Sequence, residues 1–291
     1  MRRWSDRGIV AAAWGSSAFL VVLLLAFLSY AFVRAWPALN TALFFGETPP
    51  LDALLFRQPV FEGLWPALFG TLVLVLVSTA MAVPVGIGAG IYLVAYAPPR
   101  ARAVTEWAVD VLAGVPSIVM GLFGLALILF LRRTFMPEAN TCLLLAAGCI
   151  AMLVLPGLIR TTQNALSGLP DVYRLTGPSL GFTRWQQIRH LMMPGASQGI
   201  LSGVLLAIGR AAEDTAVILL TGVVARAGLV RGLTDKFEAL PFRIYVRASE
   251  YRNETELAQG FACAVVLLTL TAVLFLLATW LQRRLEAKWS R

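Results

Sequence analysis

Charged residues and histidine are scarce in this sequence of 291 residues. Only 14% of the chain is Asp, Glu, Lys or Arg, and His190 is its single histidine. A globular domain in water carries about 25% charged residues. The composition therefore disfavours a water-soluble fold, and a lone histidine beside Arg189 is more typical of a surface than of a catalytic centre.

Motifs that carry enzyme chemistry are also missing. There is no nucleophile–base constellation and no GxxxxGK[ST] loop for nucleotide phosphates. The cysteines Cys142, Cys149 and Cys263 lie within apolar runs, without metal-ligand spacing or a loop pair for a disulfide. We therefore predict a protein that is not an enzyme and that binds no metal or cofactor itself, so that any ATP is used by a different chain.

Long apolar runs are what the sequence has instead. Hydrophobic residues make up 58% of the chain and the mean hydropathy is +0.76. A helix needs about 20 apolar residues to cross the hydrocarbon core, and this is met by runs at about 9–33, 67–97, 108–131, 141–159, 196–224 and 257–281. The runs are continuous rather than alternating, as in helices. The sequence predicts an all-α, polytopic membrane protein with six transmembrane helices.

The formal net charge of +8 is interpreted as a signal of membrane orientation rather than of nucleic-acid binding. Six spans put both termini on one side, and the ends "MRRWSDR" and "RRLEAKWSR" favour the cytoplasmic side of an inner membrane. The first run lacks a clear cleavage site and is predicted to be a retained span. The loop 225–256 is expected outside, with a short amphipathic helix around 229–240.

Two apolar runs contain features that a plain lipid-facing helix would not need. Gly114 and Pro116, followed by Ser117, interrupt the third run, so that it either lines a pathway or only kinks for packing. In "LLAIGRAAEDTAVILLTG", Glu213 and Asp214 stand three and four residues after Arg210, within reach of its guanidinium on a continuous helix. The charges are expected either to lock this helix to a neighbour or to serve a pathway, because burying them is costly.

The segment 160–194 is too polar to span a membrane. Pro170 and Asp171 mark a helix start, Pro178 breaks or restarts the helix, and Gly181 supplies a turn. Beyond the turn, an amphipathic second helix is expected to expose an apolar face of Phe182, Trp185 and Ile188. Such a pair of short helices either lies on the membrane surface or docks on another protein.

These stretches resemble a known family. "GLPDVYRLTGPSLGFTRWQQIRHLMMPGA" resembles the cytoplasmic EAA loop of ABC importer permeases. The stretches "AGIYLVAYAP", "AGVPSIVMGLFGL" and "GILSGVLLAIGRAAEDTAVILLTG" are similar to phosphate-importer permeases, most of all to the PstA-type subunit. The resemblance covers about residues 67–281 and implies a type I, MetI-like permease fold. It divides the chain into a first helix and periplasmic loop (1–66), a permease domain (67–285, with the coupling loop at 160–195) and a cytoplasmic tail (286–291).

The resemblance also implies partners and roles. The partners are a second permease subunit of the PstC type, a dimer of ATP-binding subunits, an extracytoplasmic substrate-binding protein and membrane lipid. The implied translocation residues are Arg210, Glu213, Asp214 and Thr215, with Gly114, Pro116 and Ser117 as the kink that lines the pathway. The implied ATPase-coupling residues are Pro170, Asp171, Arg174, Gly181, Phe182, Trp185, Ile188 and Pro194.

Two departures from the family pattern keep alternatives open. By register from Gly181, the Glu-Ala-Ala of the loop falls on Leu175, Thr176 and Gly177, so the defining glutamate is missing. In the Arg-x-x-Gly-Glu-Thr pattern of the fifth helix, Glu213 replaces the glycine and Asp214 the glutamate. The alternatives are a permease for another oxyanion, such as molybdate, tungstate, sulfate or phosphonate, and a non-transport membrane scaffold or sensor.

Overall fold

The computed structural model of the chain describes residues 2–55, 60 and 63–289. These residues form thirteen α-helices and no β-strand, apart from one isolated bridge between Val223 and Phe237. Six helical segments are long and apolar enough to cross a membrane. The predicted all-α architecture with six spans is therefore confirmed.

Five helices form the main body of these spans: α1 (Arg2–Ala35), α4 (Trp65–Ala95), α6 (Ser117–Thr134), α7 (Leu143–Ser167) and α13 (Glu254–Trp289). The remaining span is built mainly from α10 (Met193–Glu213). The shorter helices are α2 (Thr41–Phe45), α3 (Pro50–Leu54), α5 (Pro99–Ala113), α8 (Asp171–Ser179), α9 (Arg184–Gln187), α11 (Ala216–Thr221) and α12 (Leu240–Glu250).

The two ends of the bundle differ in character. One end carries residues 36–55 and 222–253, with α2, α3 and α12, and is called the loop face below. The opposite end carries α8 and α9 and is called the hairpin face. The chain alternates between these ends, so α1 and α13 both point their outer termini towards the hairpin face.

Two of the apolar runs do not form single helices. The third run, predicted at 108–131, is divided because α5 ends at Ala113 and α6 begins only at Ser117. The fifth run, predicted to continue to 224, is interrupted after Glu213. In both places a residue that disfavours the helix interior, Pro116 or Asp214, starts a new helix.

The centre of the bundle is the close contact of α7 with α4 and α10. Small residues let the backbones approach, as is common in membrane helices. A Cβ at Gly90 of α4 would lie 2.6 Å from Thr162 Cβ, and one at Gly203 of α10 would lie 2.1 Å from Thr161 Oγ1. These positions have no room for a side chain, so the three helices pack closely together.

Helix α1 lies at the edge of the bundle. Its most apolar stretch has no buried residue, and its neighbours are α13 and the 3-10 turn Trp36–Ala38. Arg34 at its end donates to Glu254 at 2.8 Å and lies over the Phe261 ring. Most of the surface of α1 is therefore free for lipid.

The amphipathic helix of the loop face lies later in the chain than predicted. The expected position was 229–240, but residues 229–239 are non-helical and α12 begins at Leu240. The reason is Pro241, which suits the first turn of a helix because its missing N–H needs no partner there. Upstream, the Asp235 carboxylate accepts a hydrogen bond from the Gly232 amide at 2.8 Å, which stabilises a turn.

Candidate functional site

The charged stretch of the fifth span lies where α10 stops. The last helical residue is Glu213, and Asp214 has φ −71° and ψ 114°, outside the helical region. Asp214 Oδ1 accepts a hydrogen bond from the Val217 amide at 2.8 Å. Aspartate is favoured where it can cap a new helix in this way. The sequence therefore ends one helix and starts α11 within three residues.

The predicted ion pairs of Arg210 with Glu213 and Asp214 are not formed in the described part of the chain. Because Asp214 has left the helix, it does not stand one turn above Arg210 as the four-residue spacing suggested. In the part of the chain that the structure describes, no salt bridge joins Arg210 to Glu213 or Asp214. Arg210 and Glu213 are exposed, whereas Asp214 and Thr215 are half-buried. The Arg210 guanidinium is left without an acidic partner among the described residues.

Arg210 borders a cavity of about 250 Å³ between α7 and α10. Apolar and small groups form most of its wall, including Pro156, Gly157 and Ala207, and Thr161 adds a hydroxyl. Ala113, the last residue of α5, completes the lining. A charged donor group thus stands at the edge of a cavity that offers few other polar groups.

The interruption at Gly114 and Pro116 lies beside the same region. Pro116 directly precedes α6, which begins at Ser117, and a Cβ at Gly121 would lie 3.0 Å from the Ala216 carbonyl oxygen. The second turn of α6 is therefore in close contact with the start of α11. The structure brings the two predicted features of the third and fifth spans together, with Ala113 of the first break reaching the Arg210 cavity.

One face of α10 is not covered by the part of the chain that the structure describes. It consists of exposed residues spaced four apart, namely Gln198, Ser202, Leu206 and Arg210. The opposite side is buried, with Ile200, Gly203 and Ala207 packed inward. Sequence reasoning found Arg210 but missed Gln198 and Ser202, whose signal was the polar four-residue spacing in an apolar helix.

The hairpin face is formed by α8, α9 and the turn between them. Asp171 begins α8 directly after Pro170, and Gly181 in the turn has φ 72°, a region that favours glycine. Thr183 and Gln186 form a reciprocal capping box at the start of α9. The predicted first short helix and the glycine turn are therefore confirmed, although Pro178 lies inside α8 rather than breaking it. The second short helix is not separate, because α9 continues through a π-helical turn at Ile188–Met192 into α10 and so forms the first turn of the fifth span.

The apolar surface of this hairpin differs from the prediction. Ile188 is only 3% exposed and packs with Leu166 and Met192, so it belongs to the core. Phe182 is half-buried, with its ring centroid 6.3 Å from that of His190. Trp185 is exposed as predicted, and α8 and its end add the exposed side chains Val172, Leu175 and Leu180. Of the other predicted coupling residues, Arg174 is exposed and Pro194 lies in the first turn of α10.

Two residues of α8, Leu175 and Gly177, occupy positions of the family's Glu-Ala-Ala pattern. Leu175, in its register position, points outward, and Gly177 is buried against Gln187. A Cβ at Gly177 would lie 2.7 Å from Gln187 Cγ. Gln187 Nε2 donates to the carbonyl oxygens of Tyr173 at 3.2 Å and Arg174 at 2.7 Å. The Gln187 amide thus joins α8 to the start of the next helix and packs closely against Gly177.

Sequence reasoning missed a polar network between α5 and α7. Glu106 accepts hydrogen bonds from Arg102 at 2.9 Å and from Gln163 at 3.2 Å, and Arg160 donates to Asp110. The hydrogen bond from Arg102 is the largest influence on Glu106 and holds its pKa below its ordinary value; partial burial opposes this. The partners on α5 and α7 are about 50 residues apart in the sequence, so no local sequence pattern predicted their contact.

Comparison with known families and proteins places the chain among transport proteins. The family described as the inner membrane component of binding-protein-dependent transport systems matches residues 82–287. The phosphate transport system permease protein PstA of Yersinia pestis is 32% identical over 276 residues, which are 94% of this chain and 88% of that protein. PstA of Mycobacterium leprae is 34% identical over 63% of this chain and 59% of its own length.

Solved structures with the same arrangement of helices are ABC transporters. A chain of a bacterial alginate ABC transporter, in complex with its pentasaccharide-bound periplasmic protein, aligns with a TM-score of 0.66 at 15% identity. The alignment covers 98% of this chain and 99% of that one. A chain of the MetNI methionine ABC transporter gives a TM-score of 0.57 at 18% identity, over 84% of this chain and 100% of that one. At such identities the likeness concerns the fold.

Proposed function

This chain belongs to the family of inner-membrane components of binding-protein-dependent transport systems, and we propose that within it the chain is the permease subunit of an inorganic phosphate importer. The observation that carries the proposal is the 32% identity to a phosphate permease across 94% of the chain. A multi-pass membrane protein with six spans fits this role.

The arrangement around Arg210 supports an anionic substrate. Transporters commonly place substrate sites where membrane helices are discontinuous. Here Ala113, the last residue before one break, and Arg210, close to the other break, line the same cavity. A guanidinium offers planar, paired donors that match the oxygens of a phosphate. Since Arg210 has no acidic partner in the described part of the chain, its donors are free for a substrate.

The two acids near Arg210 have separate roles in this proposal. Asp214 accepts the Val217 amide and fixes the break between α10 and α11. Glu213 is exposed at the end of α10 and faces the open side of the chain. Its repulsion of an anion requires a compensating positive charge, which we assign to a second permease subunit of the PstC type. Thr215 and Ser117 add hydroxyl groups near the two breaks.

The uncovered face of α10 also supports a second permease subunit beside this chain. Gln198, Ser202 and Arg210 are exposed along one line of that helix, although the helix lies in a span. Polar groups facing lipid would be costly. We infer that this line faces the second permease subunit across the translocation pathway, so that each subunit supplies one wall.

Coupling to ATP hydrolysis is assigned to the hairpin face. Leu175 and Leu180 of α8 and its end, and Trp185 at the start of the fifth span, expose apolar surface there on the two sides of the turn at Gly181. We propose that a dimer of ATP-binding subunits docks on this surface from the cytoplasm, with both termini of the permease on the same side. A substrate-binding protein then delivers phosphate at the loop face.

The test is phosphate uptake by the chain reconstituted with its three kinds of partner in liposomes. Arg210→Gln is expected to reduce ATP-dependent uptake of labelled phosphate at least tenfold, while assembly and basal ATPase activity persist. Arg133→Gln, an exposed arginine in the last turn of α6, is the matched control and should retain uptake. Normal uptake by Arg210→Gln would remove the pathway role, and preferred uptake of molybdate or sulfate would reassign the substrate.

A further inference from the structure

The loop face contains a second cavity, of about 520 Å³, between the segment 37–46, α12 and the start of α13. Three arginines line it, Arg226, Arg243 and Arg247, together with one acid, Glu256. It shares no lining residue with the cavity beside Arg210. The remaining polar lining consists of groups that can donate hydrogen bonds, from Asn40, Thr255 and Gln259.

Arg226 adopts an unusual backbone conformation at this cavity. Its φ is 57°, and it is the one residue other than glycine with a positive φ in the described part of the chain. Residues with a Cβ avoid this region, and such conformations cluster at binding sites where the surroundings enforce them. The Arg226 side chain is exposed and forms no salt bridge with any described residue.

A buried acid, Glu238, holds Arg243 and the loop that follows Arg226. Glu238 is fully buried; its Oε1 accepts the Gly228 amide at 3.2 Å and its Oε2 accepts Arg243 at 2.7 and 2.9 Å. Glu238 thereby ties the strained loop at Arg226 to α12. The negative charge of Glu238 offsets the positive charge of Arg243. Glu256, 3.9 Å from Arg247, offsets the charge of Arg247. The charge of Arg226 remains, which leaves one net positive charge at the cavity.

We propose that this cavity binds a phosphate-class oxyanion on the loop face, before the anion reaches Arg210. The proposal rests on the function proposed above and adds a second site to it. Arg226 and Arg247 would grip the anion, since arginine forks bind such oxygens with charge-assisted hydrogen bonds. The backbone of this loop is held through the Gly228 amide, so that less ordering of the loop is needed on binding.

The experiment measures binding of labelled inorganic phosphate to the full permease complex in nanodiscs, without the substrate-binding protein or ATP. Arg226→Gln and Arg247→Gln are expected to weaken this binding about tenfold each, in line with the loss of a charge-assisted hydrogen bond. Glu256→Gln is expected to strengthen it, because one negative charge is removed while a hydrogen-bonding side chain stays. Arg231→Gln is the control, since Arg231 is exposed on the same loop but does not line the cavity.

The nanodiscs are made once with neutral lipid and once with anionic phosphatidylglycerol. Phosphate binding in both, with the stated order of variants, supports a site for the free anion. Competition by the anionic lipid alone, with no phosphate binding in neutral discs, would assign the site to a lipid headgroup and overturn the proposal. Unchanged phosphate binding in Arg226→Gln and Arg247→Gln would also overturn it. Wild-type uptake remains the separate test of the importer function, so the two failures are distinguishable.

Discussion

Glu238 and Arg243 form the most buried ion pair in the described part of the chain, with side chains 1% and 14% exposed. Arg243 also donates to the Gly63 carbonyl oxygen at 3.1 Å. The pair therefore joins α12, the start of α4 and the loop at Gly228 at one point. Removing one partner of such a pair leaves an uncompensated buried charge.

Arg243→Met is expected to destabilise the protein by about 3–5 kcal/mol, because the Glu238 carboxylate stays buried without its partner. The measurement is thermal unfolding in detergent, followed by tryptophan fluorescence. The double variant Glu238→Gln/Arg243→Met should recover part of the loss, whereas Arg231→Met should unfold like the wild type. An unfolding temperature unchanged by Arg243→Met would show that the pair contributes little.

Gly181→Val is expected to lower substrate-stimulated ATPase activity of the assembled transporter. The φ of 72° costs a residue with a Cβ about 1–2 kcal/mol, and the β-branched valine is least suited to it. No atom lies within 4 Å of the Cβ position, so the penalty is conformational rather than a clash. Gly181→Asn is the control, since asparagine tolerates this region; equal activity of both variants would contradict the argument.

Trp185→Ala and Ile188→Ala are expected to have different effects, although they lie one turn apart. Trp185 is 57% exposed, so its truncation should weaken co-purification with the ATP-binding subunit and leave thermal stability near wild type. Ile188 is buried, and its truncation should cost about 2–5 kcal/mol of stability. The two readouts are the ratio of subunits after affinity purification and the unfolding temperature. An unfolding temperature equally lowered in both variants would place Trp185 in the core instead.

Glu106→Gln is expected to change how stability depends on pH on the acid side only. The pKa of Glu106 is lowered in the folded protein, chiefly by the Arg102 hydrogen bond. Its contribution is therefore complete above the ordinary pKa of a glutamate and is lost as pH falls through the lowered value. Unfolding curves from pH 3 to pH 7 should show a shallower acid slope in the variant. Identical slopes would mean that the Arg102 contact is not maintained in solution.

Cysteine labelling tests the orientation of the two faces. Ser249→Cys in α12 should react with a membrane-impermeant maleimide from the outside. Ser179→Cys in α8 should react only after the membrane is permeabilised. Both serines are exposed, and Cys142, Cys149 and Cys263 are buried, so the native background should be low. Labelling of Ser249→Cys from the cytoplasmic side alone would invert the proposed topology.

Sequence patterns were sufficient for the six spans and for the break at Gly114 and Pro116. Apolar length decides whether a segment crosses a membrane, and Pro cannot continue a helix without losing a hydrogen bond. The turn at Gly181 was likewise predictable, because glycine adopts a positive φ at little cost. These signals are local, which is why they could be read from one sequence. The continuation of α9 into α10 was not predicted.

The errors came from residues whose environment depends on distant parts of the chain. The spacing of Arg210 and Asp214 fits an ion pair on a helix, but the Val217 amide competes for the carboxylate and ends the helix. Ile188 lies three residues after Trp185 and was predicted to share its exposed apolar face. Its side chain instead packs in the core beside Leu166. The Arg160 network joins helices about 50 residues apart and leaves no local pattern.

The close contact of α10 with α7 predicts the pattern of natural variation along this helix. A Cβ at Gly199 would overlap Ala165, and one at Gly203 would overlap Thr161. We therefore expect that these two positions do not accept even alanine. Gln198 and Ser202, one residue before each glycine, are exposed, so their side chains can vary without a clash inside the chain. A lineage could therefore change the exposed face of the helix while its glycine ridge stays constant.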